Sequence, residues 1–207
     1  MEQCILSSCQ EHKRTADLAK GQDARLSELQ TSIGSKKMPI VMAFVPSTEA
    51  EKIVEGAKPL TELLYQKTGY AFKAIVATSY IAVVESLGLG DAHVAWLPPM
   101  AYVLAHERHR ARVILKVVRD GRASYYGVIC VRKDSGIKSL DGLKGKSFAF
   151  VEPASASGHL YPRALFLEHG IDPDKDFSQV VFAGSHDSAA LAVFNGNVSG
   201  AAFYDDA

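Results

Sequence analysis

The sequence predicts an α/β protein with parallel-dominated sheets flanked by helices. Short apolar runs alternate with longer stretches whose apolar residues fall at helical spacing. The connections between them are brief, as strand–helix–strand crossovers require. Turns rich in Ser and Gly stand where a strand gives way to a helix, above all at Ser155-Ala156-Ser157-Gly158-His159. In an open α/β layout that is where a negatively charged group is held.

The bulk numbers fit this class. With 207 residues, 47% of them hydrophobic, the chain suffices for one large domain or two small lobes. Lys plus Arg and Asp plus Glu are 23 each, giving a formal net charge of zero, so no nucleic-acid partner is expected. The three cysteines, Cys4, Cys9 and Cys130, do not make a disulfide scaffold. They fit a reducing compartment, or export without reliance on disulfides. No run is long enough to span a membrane as a helix. The residues before Cys9 lack the basic and apolar regions of a complete signal peptide. Leu6-Ser7-Ser8-Cys9 nonetheless looks like the box at which bacterial lipoproteins are cleaved and lipidated, which makes Cys9 a candidate lipid anchor. The competing reading is a disordered leader. Residues 1–37 are accordingly read as a leader or linker, polar and with a poor apolar stripe.

The folded part begins at Met38. Ile40 to Val45 reads as a buried strand and Ala50 to Thr68 as a helix, with Pro59 marking a kink or a break. Ser47 and Thr48, at the junction, have two readings: a helix cap or an anion contact. Phe72 to Val76 is a strand, and Thr78-Ser79-Tyr80 opens a helix closed by Gly88 and Gly90. Asp91 to Trp96 is a third strand, and Met100 to Glu107 a helix. Val113 to Val118 is expected to be a further strand, and Tyr125 to Val131 one that crosses between lobes. Ser139 to Leu143 is a helical turn. A second α/β set follows, with strands at Lys146 to Val151, Gln179 to Phe182 and Val198 to Tyr204. Its helices run from Leu160 to His169 and from Gly184-Ser185-His186 to Phe194. The chain stops just after a strand, so the second lobe is expected to be incomplete, with lobes at 38–125 and 126–207.

Several segments agree with one family. They are Pro46-Ser47-Thr48 after the first strand, Asp91-Ala92-His93-Val94-Ala95-Trp96, Tyr125-Tyr126-Gly127-Val128-Ile129 and the Lys133-Asp134-Ser135 turn. Ser155-Ala156-Ser157-Gly158, Ala183-Gly184-Ser185-His186 and the closing Asp205-Asp206 complete the set. In their order and spacing the chain resembles the substrate-binding proteins of phosphate, phosphite and phosphonate ABC transporters, from about Pro39 to Ala207. The resemblance implies a two-lobed, type II periplasmic-binding-protein-like fold. The implied function is capture of a small oxyanion in an interlobe cleft, without covalent chemistry, for delivery to an ABC permease. It also implies a periplasmic or extracytoplasmic location. A monomer without cofactor or metal is expected, and the scattered histidines lack a zinc spacing.

Carried over by position, Tyr80 and Tyr125 are the aromatic contacts, with Tyr126 an adjacent alternative. Ser155 and Ser157 grip the ligand oxygens, and Gly158 lets the backbone approach. His186 donates from its ring. Asp206, or Asp205, accepts a hydrogen bond from a protonated oxygen or an amino group. Ala156 stands where some members carry a third hydroxyl. For each of these residues a plain structural role competes: cap and turn for the serines, packing for the tyrosines, a helix start for His186. A sensor module of the same fold is the alternative function. A hydrolase using Ser157, His186 and Asp205 is the other, although the Gly-x-Ser-x-Gly elbow is missing.

Overall fold

The structure, a computed structural model, describes residues 33–118 and 121–207. The Cys9 box and most of the 1–37 leader lie outside the described residues. Among the described residues no helix is long and apolar enough to cross a membrane.

Lobe 1 runs β1 (Ile40–Phe44), α1 (Ala50–Thr68), β2 (Phe72–Val76), α2 (Tyr80–Leu89), β3 (Val94–Trp96) and α3 (Pro99–His109). Its sheet has the order β2-β1-β3, all parallel, with Met42 of β1 beside both Ala74 and Val94. The apolar run of β1 is thus used as the central strand, covered on both sides. The α1 helix is continuous through Pro59, so the expected kink or break does not divide it. Pro59 and Glu55 are both exposed, which leaves the carbonyl that lost its donor open to water. The helix ends at Gly69, whose positive φ of 74° lets its N–H reach the Tyr65 carbonyl.

Lobe 2 runs β4 (Gly127–Val131), short 3-10 turns at Lys133–Ser135 and Leu140–Leu143, and β5 (Ser147–Phe150). A π-turn (Ala156–Leu160) follows, and then α4 (Tyr161–Glu168), α5 (Pro173–Asp176), β6 (Gln179–Phe182), α6 (His186–Phe194) and β7 (Gly200–Tyr204). The sheet order is β4-β7-β5-β6. Strands β5, β6 and β7 are parallel, and β4 alone runs antiparallel, along β7. The core beneath is aromatic: Phe148 touches Phe150, Phe166 and Phe177, with ring centroids 5.0 to 5.2 Å apart.

Two expectations fail locally. Val113 to Val118 is not a strand; it is irregular, with Ile114 and Leu115 74% and 83% exposed. No neighbouring strand among the described residues offers it a ladder, and an apolar run alone does not make one. The helix expected from Leu160 starts earlier, as a π-turn at Ala156, because Ser155 already caps it.

Candidate functional site

The site is built where β5 ends. Val151 leads into a turn in which the Ser155 N–H donates to the Glu152 carbonyl at 2.9 Å. The Ser155 hydroxyl then accepts from the Gly158 N–H at 3.1 Å and caps the π-turn. The Gly158 amide is therefore not left over for a ligand. Gly158 is required for space: a Cβ there would lie 2.4 Å from Val151 Cγ2. Gly127, at the start of β4, is required in the same way, since its Cβ would sit 3.0 Å from the Ser157 carbonyl oxygen. Ser155 and Ser157 are both buried. Among the described residues no side-chain nitrogen or oxygen is fully buried without a hydrogen-bond partner, the Ser157 hydroxyl included.

Lobe 1 meets this turn directly. The Ser155 hydroxyl lies beside the Tyr80 phenol, and the Glu152 carboxylate lies near the Tyr80 main-chain N–H. Burial, together with the nearby Glu152 carboxylate, pushes the Tyr80 phenol far above its ordinary pKa, so it stays protonated. Ala154 packs into the lobe 1 core with Val45, Val83 and Ala92. Tyr80 is held at the start of α2, whose N-cap Ser79 accepts from the Ala82 N–H at 3.1 Å.

His186 opens α6 behind the N-cap Ser185. Its ring is buried, edge-on to Tyr204 at 4.5 Å, and Nδ1 accepts the Tyr204 N–H at 3.2 Å. Burial lowers its pKa to about 4, so the ring is neutral at physiological pH. With Nδ1 accepting, the proton sits on Nε2, which is left as the donor. The His186 N–H also donates to the Ser47 carbonyl at 3.0 Å, a second bond between lobes.

The structure brings Tyr80, Ser155, Ser157, Gly158 and His186 into one region with Tyr125, which stands edge-on to Tyr204 at 6.4 Å. Ser47 joins it through its carbonyl. Neither Ser47 nor Thr48 caps α1: the N-cap is Glu49, without a side-chain bond, because the helix starts only at Ala50. Asp206 is exposed just past β7. Asp205 is engaged elsewhere, since its Oδ1 accepts the Tyr126 N–H at 3.0 Å and its own N–H donates to the Tyr126 carbonyl, prolonging the β4–β7 pairing. Two residues were missed from the sequence, Glu152 and Tyr204. Glu152 lies three positions before Ser155, a carboxylate in the turn expected to hold an anion, and that was the available signal. No group of three or more His, Cys, Asp or Glu among the described residues is placed to hold a metal. Two open surface grooves, one beside Lys36, Tyr65 and Phe72 and one beside Arg132, Lys146 and Ser199, lie away from this turn.

Two α/β lobes that meet over a hydroxyl-lined turn are the architecture of a two-lobed solute-binding protein of type II. The chain belongs to the family of periplasmic substrate-binding proteins of phosphonate ABC transporters, whose model matches residues 42–207. It is 33% identical over 177 residues to the phosphate-import protein PhnD of Mycolicibacterium smegmatis, covering 80% of this chain and 55% of that one. It is 29% identical to the phosphonates-binding periplasmic protein of Escherichia coli, covering 90% and 57%. The chain thus spans little more than half the length of these relatives. Among solved structures it resembles a binding protein component of an ABC phosphonate transporter from Pseudomonas aeruginosa, at a TM-score of 0.76 and 27% identity, over 81% of this chain and 58% of that one. It shares the fold of PhnD1 from Prochlorococcus marinus, solved with methylphosphonate, at a TM-score of 0.71 and 23% identity, over 81% and 64%. The family is one of binding proteins rather than enzymes.

Proposed function

We propose that the chain forms the oxyanion-gripping part of a solute-binding protein that captures phosphonate, phosphite or phosphate between lobes meeting near residue 125. The captured ligand is handed to an ABC permease outside the cytoplasm. The protein acts as a monomer, and Cys9 is the point at which a lipid anchor would attach. The observation that carries this reading is the place of Ser157: buried in the π-turn that Ser155 caps, beside the contact of Ser155 with Tyr80 that joins the two lobes.

In this reading the ligand oxygens take donors from Ser157, from Tyr80 and from His186 Nε2, with the π-turn amides of Ser157 and His159 behind them. Tyr125 closes one side. Ser155 contributes by fixing the turn as well as by its hydroxyl, and Gly158 by letting the turn close on Val151. Asp206 is exposed at the chain's last turn and reaches the ligand only if the lobes tighten around it. The names of the relatives, phosphate import and phosphonate binding, support this ligand class. Calorimetry against phosphate, phosphite, methylphosphonate and 2-aminoethylphosphonate tests it. At least one is expected to bind below millimolar concentration, and a folded protein that binds none overturns the ligand class. Ser157→Ala is expected to weaken the best ligand by about 1–3 kcal/mol. Unchanged affinity removes Ser157 from the site.

A further inference from the structure

We propose that the Glu152 carboxylate, set against the Tyr80 amide in the turn that carries Ser155, makes the site select a singly charged, proton-bearing oxyanion over a doubly charged one. The inference rests on the oxyanion reading above and names which form of the ligand the site accepts.

Glu152 is fixed at both ends of a short loop. Its carbonyl accepts the Ser155 N–H at 2.9 Å, and its side chain faces the N–H of Tyr80 at the start of α2. The hydroxyl of the same Tyr80 lies against Ser155. A ligand held by Ser155, Ser157 and Tyr80 is therefore one side chain away from this carboxylate. The positive end of α2, which would otherwise favour an anion, is already engaged by it.

Among the described residues no cation shifts Glu152, which responds only to burial and to the Tyr80 main-chain N–H. Glu152, Tyr125 and Tyr204 all act on the Tyr80 phenol, and the His159 Nδ1 lies 2.9 Å from the carbonyl of Pro153, the residue after Glu152. His186 and His159 are both disfavoured as cations by burial. Asp205 is bonded to the Tyr126 amide and Asp206 stands exposed beyond it. Arg132, Lys144, Arg163 and Lys175 of lobe 2 are ion-paired to aspartates elsewhere. Burial also raises the Glu152 pKa, the mark of a carboxylate short of compensation. A second negative charge on the ligand would meet this carboxylate across a partly desolvated gap. A P–OH group instead has a proton to donate to it.

The test is calorimetry of the wild-type chain, Glu152→Gln and Glu152→Asp with methylphosphonate, across the pH range in which the ligand loses its second proton. Wild-type affinity is expected to fall through that range. Glu152→Gln should flatten the fall and bind the doubly charged ligand about threefold to tenfold more tightly, while Glu152→Asp keeps the wild-type slope. Methanesulfonate, singly charged but without a proton, is expected to bind the wild type at least about tenfold more weakly than singly charged methylphosphonate. This arm needs no variant to fold. A Glu152→Gln slope equal to wild type, an equal loss at every pH, or methanesulfonate bound as well as methylphosphonate overturns the inference. A wild type that binds no oxyanion at any pH overturns the underlying reading instead.

Discussion

Lobe 2 lays a four-stranded sheet on interlocked phenylalanines, whereas lobe 1 rests three strands on alanines, valines and one tyrosine. The aromatic core of lobe 2 closes on itself. The aliphatic core of lobe 1 includes Ala154, a residue supplied by the turn after β5. One lobe therefore carries both its own packing and most of the candidate site, and the other completes its packing by leaning on that site. Ligand capture and the integrity of lobe 1 are coupled through the same few residues.

The contrast can be broken most directly in the aromatic core. Phe148→Ala should cost about 3–5 kcal/mol, since Phe148 is fully buried among three other rings. Val83→Ala in lobe 1 should cost only ~1–2 kcal/mol, because it removes far less buried area. Urea unfolding measures both, and equal losses would show that the two cores weigh the same.

Acid sharpens the comparison at the point where the lobes join. His186 is held neutral with a pKa of about 4 against an ordinary 6.5, so on acidification the unfolded chain takes up the proton first. Its contribution is fully present above pH 6.5 and is lost as pH falls towards 4, some ~3 kcal/mol in all. Thermal melts of His186→Gln should show a shallower acid limb than the wild type over that window; parallel limbs would mean that another group sets the acid sensitivity.

The smallest effect belongs to lobe 1's uncovered segment. Leu115 is 83% exposed, so Leu115→Lys should change the unfolding free energy by less than ~0.5 kcal/mol. It should still reduce self-association, followed by light scattering, because it breaks an apolar, β-prone run. A large loss of stability would show that the segment is packed after all.

Most of the fold was legible because apolar runs and helical spacing are local signals. The strands β1, β2, β5 and β6 fall where their aliphatic and aromatic residues cluster, and Ser79, Ser185 and Gly69 mark helix ends by their own chemistry. Val113 to Val118 was misread because its pattern is that of a strand, whereas a strand also needs a neighbour. Ser47 and Thr48 were offered as caps because a hydroxyl before a helix is usually one; Glu49 intervenes. Ser155, Ser157 and Gly158 could be singled out from a strand–turn–helix pattern. The bond that spends the Gly158 amide depends on backbone geometry that the pattern does not carry. Tyr204 owes its place to a contact with His186, 18 positions away, which no local signal encodes; Glu152 meets the distant Tyr80, and its position three residues before Ser155 was the one local pointer to it.

Residues 152–155 belong by covalent connection to lobe 2, yet Ala154 is embedded in lobe 1 and Glu152 and Ser155 lie against its Tyr80. Pro153 carries no N–H, so the exchangeable amides of the stretch are those of Glu152, Ala154 and Ser155, in the turn that lobe 1 covers at Ala154. Deuterium will therefore enter this stretch on a schedule set by the parting of the two lobes, while the β5 amides a few residues earlier follow the slower opening of the aromatic core. The isotope uptake of one short peptide becomes a clock for closure, readable without any ligand.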